Sequence, residues 1–317
     1  MTESPNPTPT PTPQTIAVAG GTGFVGGAIA AELARRGHRV VVLSHRRGLP
    51  PALSGRSNDG FVESRAIDVT KPIDPEALAG VDCLVIALAF RNSPVEAPRR
   101  GQTFEQVDAA GTIALVAAAR ASGVTGVVYM SGAGAAADAQ KPWFRAKWRA
   151  EEFIRASGIP YTIFRPTWIY GPGDKSLNRF LGFTRWLPFV PQIGNGKQQL
   201  APVFIDDVAG LVGDALETAA AANETFEVGG PETISMDAVI KSALRASRRR
   251  RIILHTPVVV MKIATAPLVL LPSPPMRPSA IDFIVQAAAV DTTHLRGVLP
   301  RRLRSLDEAL PTYLSPR

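Results

Sequence analysis

The sequence predicts an α/β fold with a doubly wound parallel sheet and a small mixed region toward the carboxyl terminus. Three observations predict it. Apolar strand-like runs alternate with segments of helical period through the first half of the chain. Those runs are almost continuously apolar, which is typical of parallel strands covered by helices on both faces. After Arg165, prolines and glycines interrupt the chain more often and the alternation becomes irregular.

The predicted elements follow one another in a regular order. Strands are predicted at Thr15–Ala19, Arg39–Leu43, Val62–Ile67, Cys83–Ala87, Gly126–Met130, Tyr161–Arg165 and Thr225–Val228. Helices are predicted at Phe24–Arg36, Pro75–Ala79, Thr103–Ser122, Trp143–Ser157 and Asp206–Thr218. We therefore expect a main domain over residues 15–175 and a smaller C-terminal region over residues 176–317, with residues 198–230 returning to the main domain. Residues 1–14, rich in Pro and Thr, are predicted to form a disordered or polyproline leader.

Composition narrows the function classes. The chain has 317 residues, is 45% hydrophobic and carries a formal net charge of +8. A basic protein can contact nucleic acid, anionic lipid or an anionic cofactor. The sequence has no nucleic-acid module, so nucleic-acid binding is not expected. The one cysteine, Cys83, is predicted to be a buried apolar residue. The leader lacks the apolar block of a secretory signal, and a cytoplasmic location is expected.

A glycine-rich turn lies between the first predicted strand and the first predicted helix. Its sequence is Gly20-Gly21-Thr22-Gly23-Phe24-Val25-Gly26. Glycines let the backbone approach a pyrophosphate closely, and the amides of the helix amino terminus then face the negative charge. Since Val40–Leu43 supplies the next strand, the βαβ unit is nearly complete. We predict a Rossmann-type dinucleotide site with Gly20, Thr22, Gly23, Phe24, Val25 and Gly26 at the diphosphate. An ordinary glycine turn is the alternative.

Several spaced motifs resemble a known superfamily. The turn above is followed by Val127–Ser131, the pair Trp143 and Lys147, Arg165–Asp174, and Val203–Ala209. This order resembles that of extended and atypical short-chain dehydrogenases/reductases, over nearly the whole chain after the leader. Within the superfamily, the chain is most similar to the atypical branch that holds the nucleotide-binding accessory subunit of respiratory complex I and its bacterial relatives. That narrower resemblance rests on Trp143–Lys147, on Gly171–Asp174 leading into Asn178–Phe180, and on Leu306–Leu314.

The resemblance implies an active centre of Ser, Tyr and Lys, and this sequence departs from it. Ser131 matches the serine, Lys147 matches the lysine, and Trp143 occupies the tyrosine position. An indole N–H is only a donor and cannot relay a proton. We therefore expect nucleotide binding without ordinary alcohol–ketone redox by the standard route. Ser131 polarising a carbonyl is a further interpretation.

The residues after the second strand favour one dinucleotide over the other. The segment Ser44-His45-Arg46-Arg47 has no acidic residue to bind both ribose hydroxyls of NAD. Ser44 can bond a phosphate oxygen, and Arg46 or Arg47 can pair with it and stack on adenine. We predict NADP(H) over NAD(H). A solvated loop end is the alternative. The resemblance also implies contacts of the nucleotide with Asp68, Val69, Ala87, Leu88, Ala89, Lys147, Pro166 and Thr167.

The run Ile252–Leu271 has three interpretations. The run has twenty residues. We predict a strand at Arg251–His255, which overlaps its beginning, and an apolar helix at Val258–Leu271. The helix could cap the substrate side of the core. It could instead lie on a membrane surface, with Arg248–Arg251 meeting lipid phosphates. The third interpretation is a helix that spans a membrane. Two prolines and Lys262 within the run argue against this interpretation.

Three functions stay open at this point. The first is a nucleotide-binding accessory or assembly component of a membrane-associated respiratory or quinone complex, peripheral to the inner face of the membrane. The second is a reductase, dehydratase or epimerase acting on a small or isoprenoid substrate. The third is an NADP-sensing regulator. Trp143 at the tyrosine position favours the first. Asp206 and Asp207, which open a predicted helix, are expected to be caps rather than catalysts.

Overall fold

The central sheet has seven parallel strands. The computed structural model describes residues 12–45, 48–55, 61–90, 93–183, 187–267, 281–282 and 288–314. The strands of the sheet are β1 (Thr15–Ala19), β2 (Arg39–Ser44), β3 (Val62–Ala66), β4 (Cys83–Ile86), β5 (Gly126–Met130), β6 (Tyr161–Pro166) and, further along the chain, β11 (Glu224–Val228). They lie in the order β3-β2-β1-β4-β5-β6-β11. The predicted doubly wound α/β fold is confirmed.

Helices cover both faces of this sheet. The faces carry α1 (Phe24–Arg35), α2 (Gly111–Ala121), α3 (Pro142–Ala156) and α5 (Ile205–Glu217). Ile16 and Val18 of β1 face the core that α1 and α5 cover. Ala17 and Ala19, the alternate residues, face the core that α2 and α3 cover. The inner strands β1, β2, β4 and β5 are therefore buried on both sides, which explains their nearly continuous apolar sequences. The edge strands β3 and β11 carry charged and half-buried residues instead.

The strand order reverses between β1 and β4. The segments that follow these two strands run to opposite sides of the sheet, which leaves a crevice at the carboxyl ends of the strands. Ligands of proteins with this architecture bind in that crevice. Gly20 follows β1 and Ala87 follows β4, so the glycine turn predicted from the sequence lies at this crevice.

The later part of the chain adds short strand pairs and helices to the central sheet. The three strand pairs are β7 (Ile169–Tyr170) with β10 (Val203–Phe204), β9 (Gln199–Leu200) with β12 (Ile234–Ser235), and β8 (Phe189–Ile193) with β13 (Ile252–Thr256). The helices are α4 (Lys175–Phe183), α6 (Met236–Ala246), α7 (Val258–Thr265), α8 (Thr293–Val298) and α9 (Leu306–Ala309). A separate apolar core joins several of these elements to the first turns of α1.

Three predicted helices differ from the structure. The segment predicted at Pro75–Ala79 is a 3-10 turn at Pro75–Leu78. The helix predicted from Thr103 begins with a π-helical segment, Phe104–Ala110, and becomes α-helical only at Gly111. The apolar helix predicted to Leu271 is described as α7 only to Thr265, and residues 268–271 lie outside the described residues. Among the described residues, no helix combines the length and apolar character that crossing a bilayer requires.

Two glycines of α5 make room for guanidinium groups from distant parts of the chain. A Cβ at Gly213 would overlap the guanidinium of Arg36, and one at Gly210 would overlap that of Arg301. Both guanidiniums donate to the Asp214 carboxylate, over 2.7 Å from Arg36 and 2.6 Å from Arg301. The helix that follows the glycine turn is thus joined through α5 to the C-terminal segment.

Candidate dinucleotide site

The glycine turn is too tight for side chains at two positions. Gly20 has a φ of +79°, a left-handed conformation that glycine adopts without strain. A Cβ on Gly20 would overlap the carbonyl oxygen of Ala87, and a Cβ on Gly26 would overlap the carbonyl oxygen of Gly20. The turn therefore brings three backbone segments together at the crevice. This is the cradle that a pyrophosphate requires.

The amino end of α1 faces outward from this turn. Its N-cap is Gly23, and no side chain caps it. No acidic side chain lies in its first turn. Thr22 and Gly23 are exposed, and Phe24 and Val25 are half-buried. No side chain of the helix itself therefore neutralises the positive end of its dipole, an arrangement that fits an anion such as the diphosphate of a dinucleotide.

Lys147 lies on α3 with its ammonium fixed by two oxygens. Its Nζ lies 2.8 Å from Oδ1 of Asp108 and donates to the carbonyl oxygen of Met130 over 3.1 Å. The ammonium also lies 5.2 Å from the ring centroid of Tyr129. Burial lowers the pKa of Lys147, but the charge of Asp108, the Tyr129 phenol and the hydrogen bonds to both together more than offset that effect, so the net pKa is raised. Lys147 is therefore a permanent cation in a set orientation.

Asp108 was not among the predicted site residues. It lies in the π-helical segment before α2, and only 3% of it is exposed. Its second oxygen, Oδ2, and the hydroxyl of the fully buried Thr112 have no hydrogen-bond partner among the described residues. Burial raises the pKa of Asp108, and Lys147 opposes that rise. A π-helical turn often marks a functional site, and here it carries the counter-ion of the site lysine.

Trp143 lies one helical turn before Lys147 and is packed in an aromatic cluster. The indole is 7% exposed. Its ring centroid lies 6.0 Å from that of Phe104 and 5.6 Å from that of Phe144, and Phe90 belongs to the same cluster. Leu88 packs against this cluster. A bulky apolar group therefore stands where the resemblance implies a phenol.

Ser131 follows β5, and its hydroxyl is already engaged. It donates to Oε1 of Glu151 over 2.5 Å. Glu151 is fully buried and also accepts from Arg165 over 2.6 Å and from Arg155 over 2.7 Å. Since a hydroxyl has one proton, Ser131 can only accept a hydrogen bond on its other side. It cannot donate to a substrate carbonyl in this arrangement.

The adenosine end of the site is described only in part. Ser44 ends β2 and is buried, while Arg46 and Arg47 lie outside the described residues. Asp68 accepts from the Thr70 hydroxyl over 2.6 Å, and its other oxygen lies 3.7 Å from Nδ1 of His45. The Thr70 hydroxyl holds the pKa of Asp68 below its usual range. This carboxylate is thus ionised at neutral pH.

The other residues predicted to contact the nucleotide differ in their surroundings. Val69 packs on the aromatic cluster, and Ala89 is exposed. The carbonyl oxygen of Pro166 accepts from the amide of Ala133 over 3.0 Å. The hydroxyl of Thr167 donates to the carbonyl oxygen of Ala201 over 2.5 Å, which ties β6 to the C-terminal elements.

The two aspartates expected as caps of α5 have a different role. Phe204 is the N-cap, and no side chain caps this helix. Asp207 is buried and accepts from the backbone amide of Arg304 over 2.7 Å and from its Nε over 2.9 Å. Asp206 lies 3.5 Å from the same guanidinium. The pair anchors the C-terminal segment, because a buried carboxylate gains more from a guanidinium partner than from the helix end alone.

Comparison with known proteins settles the family. The description of the matching family model is "NAD(P)H-binding", and it matches residues 20–181, about half of the chain. The chain belongs to this NAD(P)H-binding family. With the relatives and structures below, this match confirms an atypical short-chain dehydrogenase/reductase that resembles the complex I accessory subunit.

Three relatives illustrate the range of this similarity. The chain is 30% identical to NADH dehydrogenase [ubiquinone] 1 alpha subcomplex subunit 9 of Arabidopsis thaliana, over 69% of this chain and 54% of that protein. It is 31% identical to divinyl chlorophyllide a 8-vinyl-reductase of Zea mays, over 68% and 55%. It is 27% identical to 2-alkyl-3-oxoalkanoate reductase of Stenotrophomonas maltophilia, over 73% and 75%. The chain thus spans about half the length of the first two.

Solved structures share the fold. A UDP-glucuronic acid 4-epimerase from Bacillus cereus, in complex with NAD, superposes with a TM-score of 0.73 at 17% identity, covering 95% of this chain and 97% of that one. The NAD-dependent NDP-hexosamine 5,6-dehydratase TunA superposes with a TM-score of 0.72 at 19% identity, covering 95% and 96%. At these identities the likeness carries the architecture alone.

Proposed function

We propose that this protein binds NADP(H) and turns it over little or not at all, as an accessory or assembly component of a membrane-associated respiratory or quinone complex. One observation carries the proposal. The hydroxyl of Ser131 donates to Glu151 and so has no proton for a substrate, while Trp143 occupies the position of the proton donor.

The residues of the crevice fit a dinucleotide. The turn at Gly20 and Gly26 has no room for a side chain, so a diphosphate could approach its backbone closely. The ammonium of Lys147 would hold the hydroxyls of the nicotinamide ribose. When bound, the nicotinamide supplies or accepts a hydride. The packed rings around Trp143 would exclude water from its neighbourhood.

Proton transfer is the step that this chain supports poorly. Carbonyl reduction needs a proton on the new alkoxide, and alcohol oxidation needs a base to remove one. Trp143 can do neither, and the Ser131 proton points to Glu151. General acid–base catalysis contributes about 100-fold to 10,000-fold in rate. Its loss would leave nucleotide binding intact and turnover slow.

NADP(H) is the proposed nucleotide because β2 ends on Ser44 with Arg46 and Arg47 two and three residues later. Isothermal titration should give tighter binding of NADPH than of NADH, and Arg46→Ala should remove the preference. Lys71→Ala, which changes an exposed lysine near the same end, is the matched control and should keep it. Equal affinity of the native protein for both nucleotides would contradict the assignment.

The names of several relatives support the accessory role. Proteins from Arabidopsis thaliana, Mus musculus and Neurospora crassa that match this chain are named as subunits of NADH dehydrogenase or NADH-ubiquinone oxidoreductase. The test is affinity purification of the full chain from gently solubilised membranes. Recovery of a respiratory or quinone-linked complex supports the role. A protein recovered alone, at full yield and with nucleotide bound, would contradict it.

A reductase or epimerase is the second candidate, because other relatives are named as reductases. NADPH oxidation should be measured with a panel of quinones and ketones for the native protein and for Trp143→Tyr. The accessory role predicts no activity in the native protein. Native turnover that Lys147→Met abolishes would instead establish the enzyme, whose substrate would be a small molecule.

A further inference from the structure

The C-terminal region exposes a group of aliphatic side chains. We call Ile252, Leu254, Val259, Val260 and Ile263 the β13–α7 patch. Ile252 is 75% exposed and Ile263 is 68% exposed, and the other three are each more than half exposed. Scattered exposed apolar residues are ordinary, but five within twelve positions of the chain are concentrated enough to indicate an interaction surface.

Helix α7 exposes apolar side chains and buries a polar one. Thr265 is buried, and its hydroxyl donates back to the carbonyl oxygen of Met261 over 2.8 Å. Val259 and Ile263, one turn apart, face outward together with Val260. A helix packed on a core in water shows the opposite distribution. The outward face of α7 therefore matches an apolar environment better than water.

Positive charge surrounds the patch. Residues 238–281 contain eight Lys or Arg residues and no Asp or Glu. Arg248 and Arg250, directly before β13, are exposed. Three carboxylates lie against side chains of this segment: Asp237 lies 3.0 Å from His255, Asp282 lies 2.6 Å from Lys262, and Asp307 lies 3.2 Å from Arg245. The surface near the patch thus keeps a net positive charge.

We infer that the β13–α7 patch docks on an anionic phospholipid bilayer. Val259, Val260 and Ile263 enter the boundary between headgroups and acyl chains, while Arg248 and Arg250 meet lipid phosphates. Protein interfaces concentrate their affinity in Trp, Tyr and Arg anchors, whereas this patch is entirely Ile, Leu and Val. The inference rests on the membrane-associated part of the proposed function and is independent of nucleotide binding.

Vesicle sedimentation tests this docking with the full chain. The native protein should sediment with vesicles of phosphatidylcholine mixed with phosphatidylglycerol, and much less with phosphatidylcholine alone. Each basic residue near an anionic surface contributes about a fivefold factor, so R248E/R250E should weaken partition by at least about 25-fold. V259D/I263D should weaken it on both vesicle types. Added salt should reduce the native partition, because it screens the headgroup charge.

Matched controls separate the patch from general effects. R120E/R296E makes the same change of charge at exposed arginines outside the segment, and Phe61→Asp removes an apolar side chain that is 55% exposed elsewhere. Both should partition like the native protein. All variants are compared by circular dichroism and by NADPH titration.

Two outcomes would overturn the docking. One is native protein that stays in the supernatant with every vesicle while binding NADPH normally. The other is a stable dimer on gel filtration that V259D/I263D dissociates, since a second copy would then cover the patch. A protein that sediments with vesicles but does not bind NADPH would instead contradict the proposed function. The inferred docking would then still stand.

Discussion

The hydroxyl of Ser131 lies 2.5 Å from the buried carboxylate of Glu151, and it donates its proton there. In the resemblance drawn from the sequence, this serine would donate to a substrate. Its engagement with Glu151 joins the end of β5 to α3 and, through Arg165, to β6. The serine has become part of the structure that holds the crevice.

This relationship predicts unequal effects of two substitutions. Glu151→Gln should lower the free energy of unfolding by about 3–5 kcal/mol, because two guanidiniums lose a buried counter-charge. Ser131→Ala should cost about 1 kcal/mol, because it removes one hydrogen bond and leaves the ion pairs. Urea denaturation measures both, and Ser131→Ala should keep its NADPH affinity. Equal losses in the two variants would show that the arginines do not depend on Glu151.

The Asp108–Lys147 pair predicts a double-mutant cycle with strong coupling. Asp108→Asn leaves a buried ammonium without its counter-ion and should cost about 3–5 kcal/mol. Lys147→Met leaves the carboxylate alone and should cost a similar amount. The double variant should be more stable than the sum of the two losses implies, because neither charge stays behind. Simple additivity in urea denaturation would mean that the pair is not coupled.

The glycine turn predicts a position-specific loss of binding. Gly26→Ala places a Cβ against the carbonyl oxygen of Gly20 and should reduce NADPH affinity by at least about 100-fold, since the diphosphate cradle cannot form. Gly123→Ala is the matched control. Gly123, unlike Gly26, has a positive φ of +76°, and a Cβ there would have no neighbour within 4 Å. This control should lose about 1–2 kcal/mol of stability and keep its nucleotide affinity.

Cys83 predicts a defined pH dependence. Burial raises the pKa of its thiol to about 12. At pH 8 only about one thiol in ten thousand is then ionised, so Ellman's reagent should label the folded protein very slowly and the urea-unfolded protein fast. A fast reaction of folded protein at that pH would contradict the burial.

The same thiol affects stability at high pH. Its folded pKa lies above the ordinary value of 9.0, so its contribution is complete below pH 9 and is lost as the pH rises toward 12. The loss amounts to about 1.4 kcal/mol per pH unit in that window. Cys83→Ala should show a shallower decline in urea stability there, with a constant offset below pH 9.

The sequence predicted those parts of the site that a short segment encodes. The turn from Gly20 to Gly26, the strand before it and the helix after it are local, and each has a recognisable composition. The position of Trp143 relative to Lys147 is also local, because four residues make one helical turn.

The partners of Ser131 and Lys147 were not predicted, because they depend on how separate elements pack. Glu151 and Lys147 lie on one face of α3, four residues apart, and that spacing was a usable signal. Nothing in the sequence reveals that Phe104–Ala110 widens into a π-helix and carries Asp108 toward the lysine. Apolar periodicity also predicted α7 without showing that its apolar face points outward.

The guanidinium of Arg301, lodged against Gly210 and sharing Asp214 with Arg36, has a consequence for biosynthesis. Chains leave the ribosome from the amino end, and early segments begin to fold first. Here Asp214 of α5 gains its second guanidinium only after about three hundred residues have been translated. A nascent chain that stalls before Arg301 would carry all seven strands of the sheet while Asp214 is paired with Arg36 alone, and such an incompletely joined intermediate is one that chaperones hold.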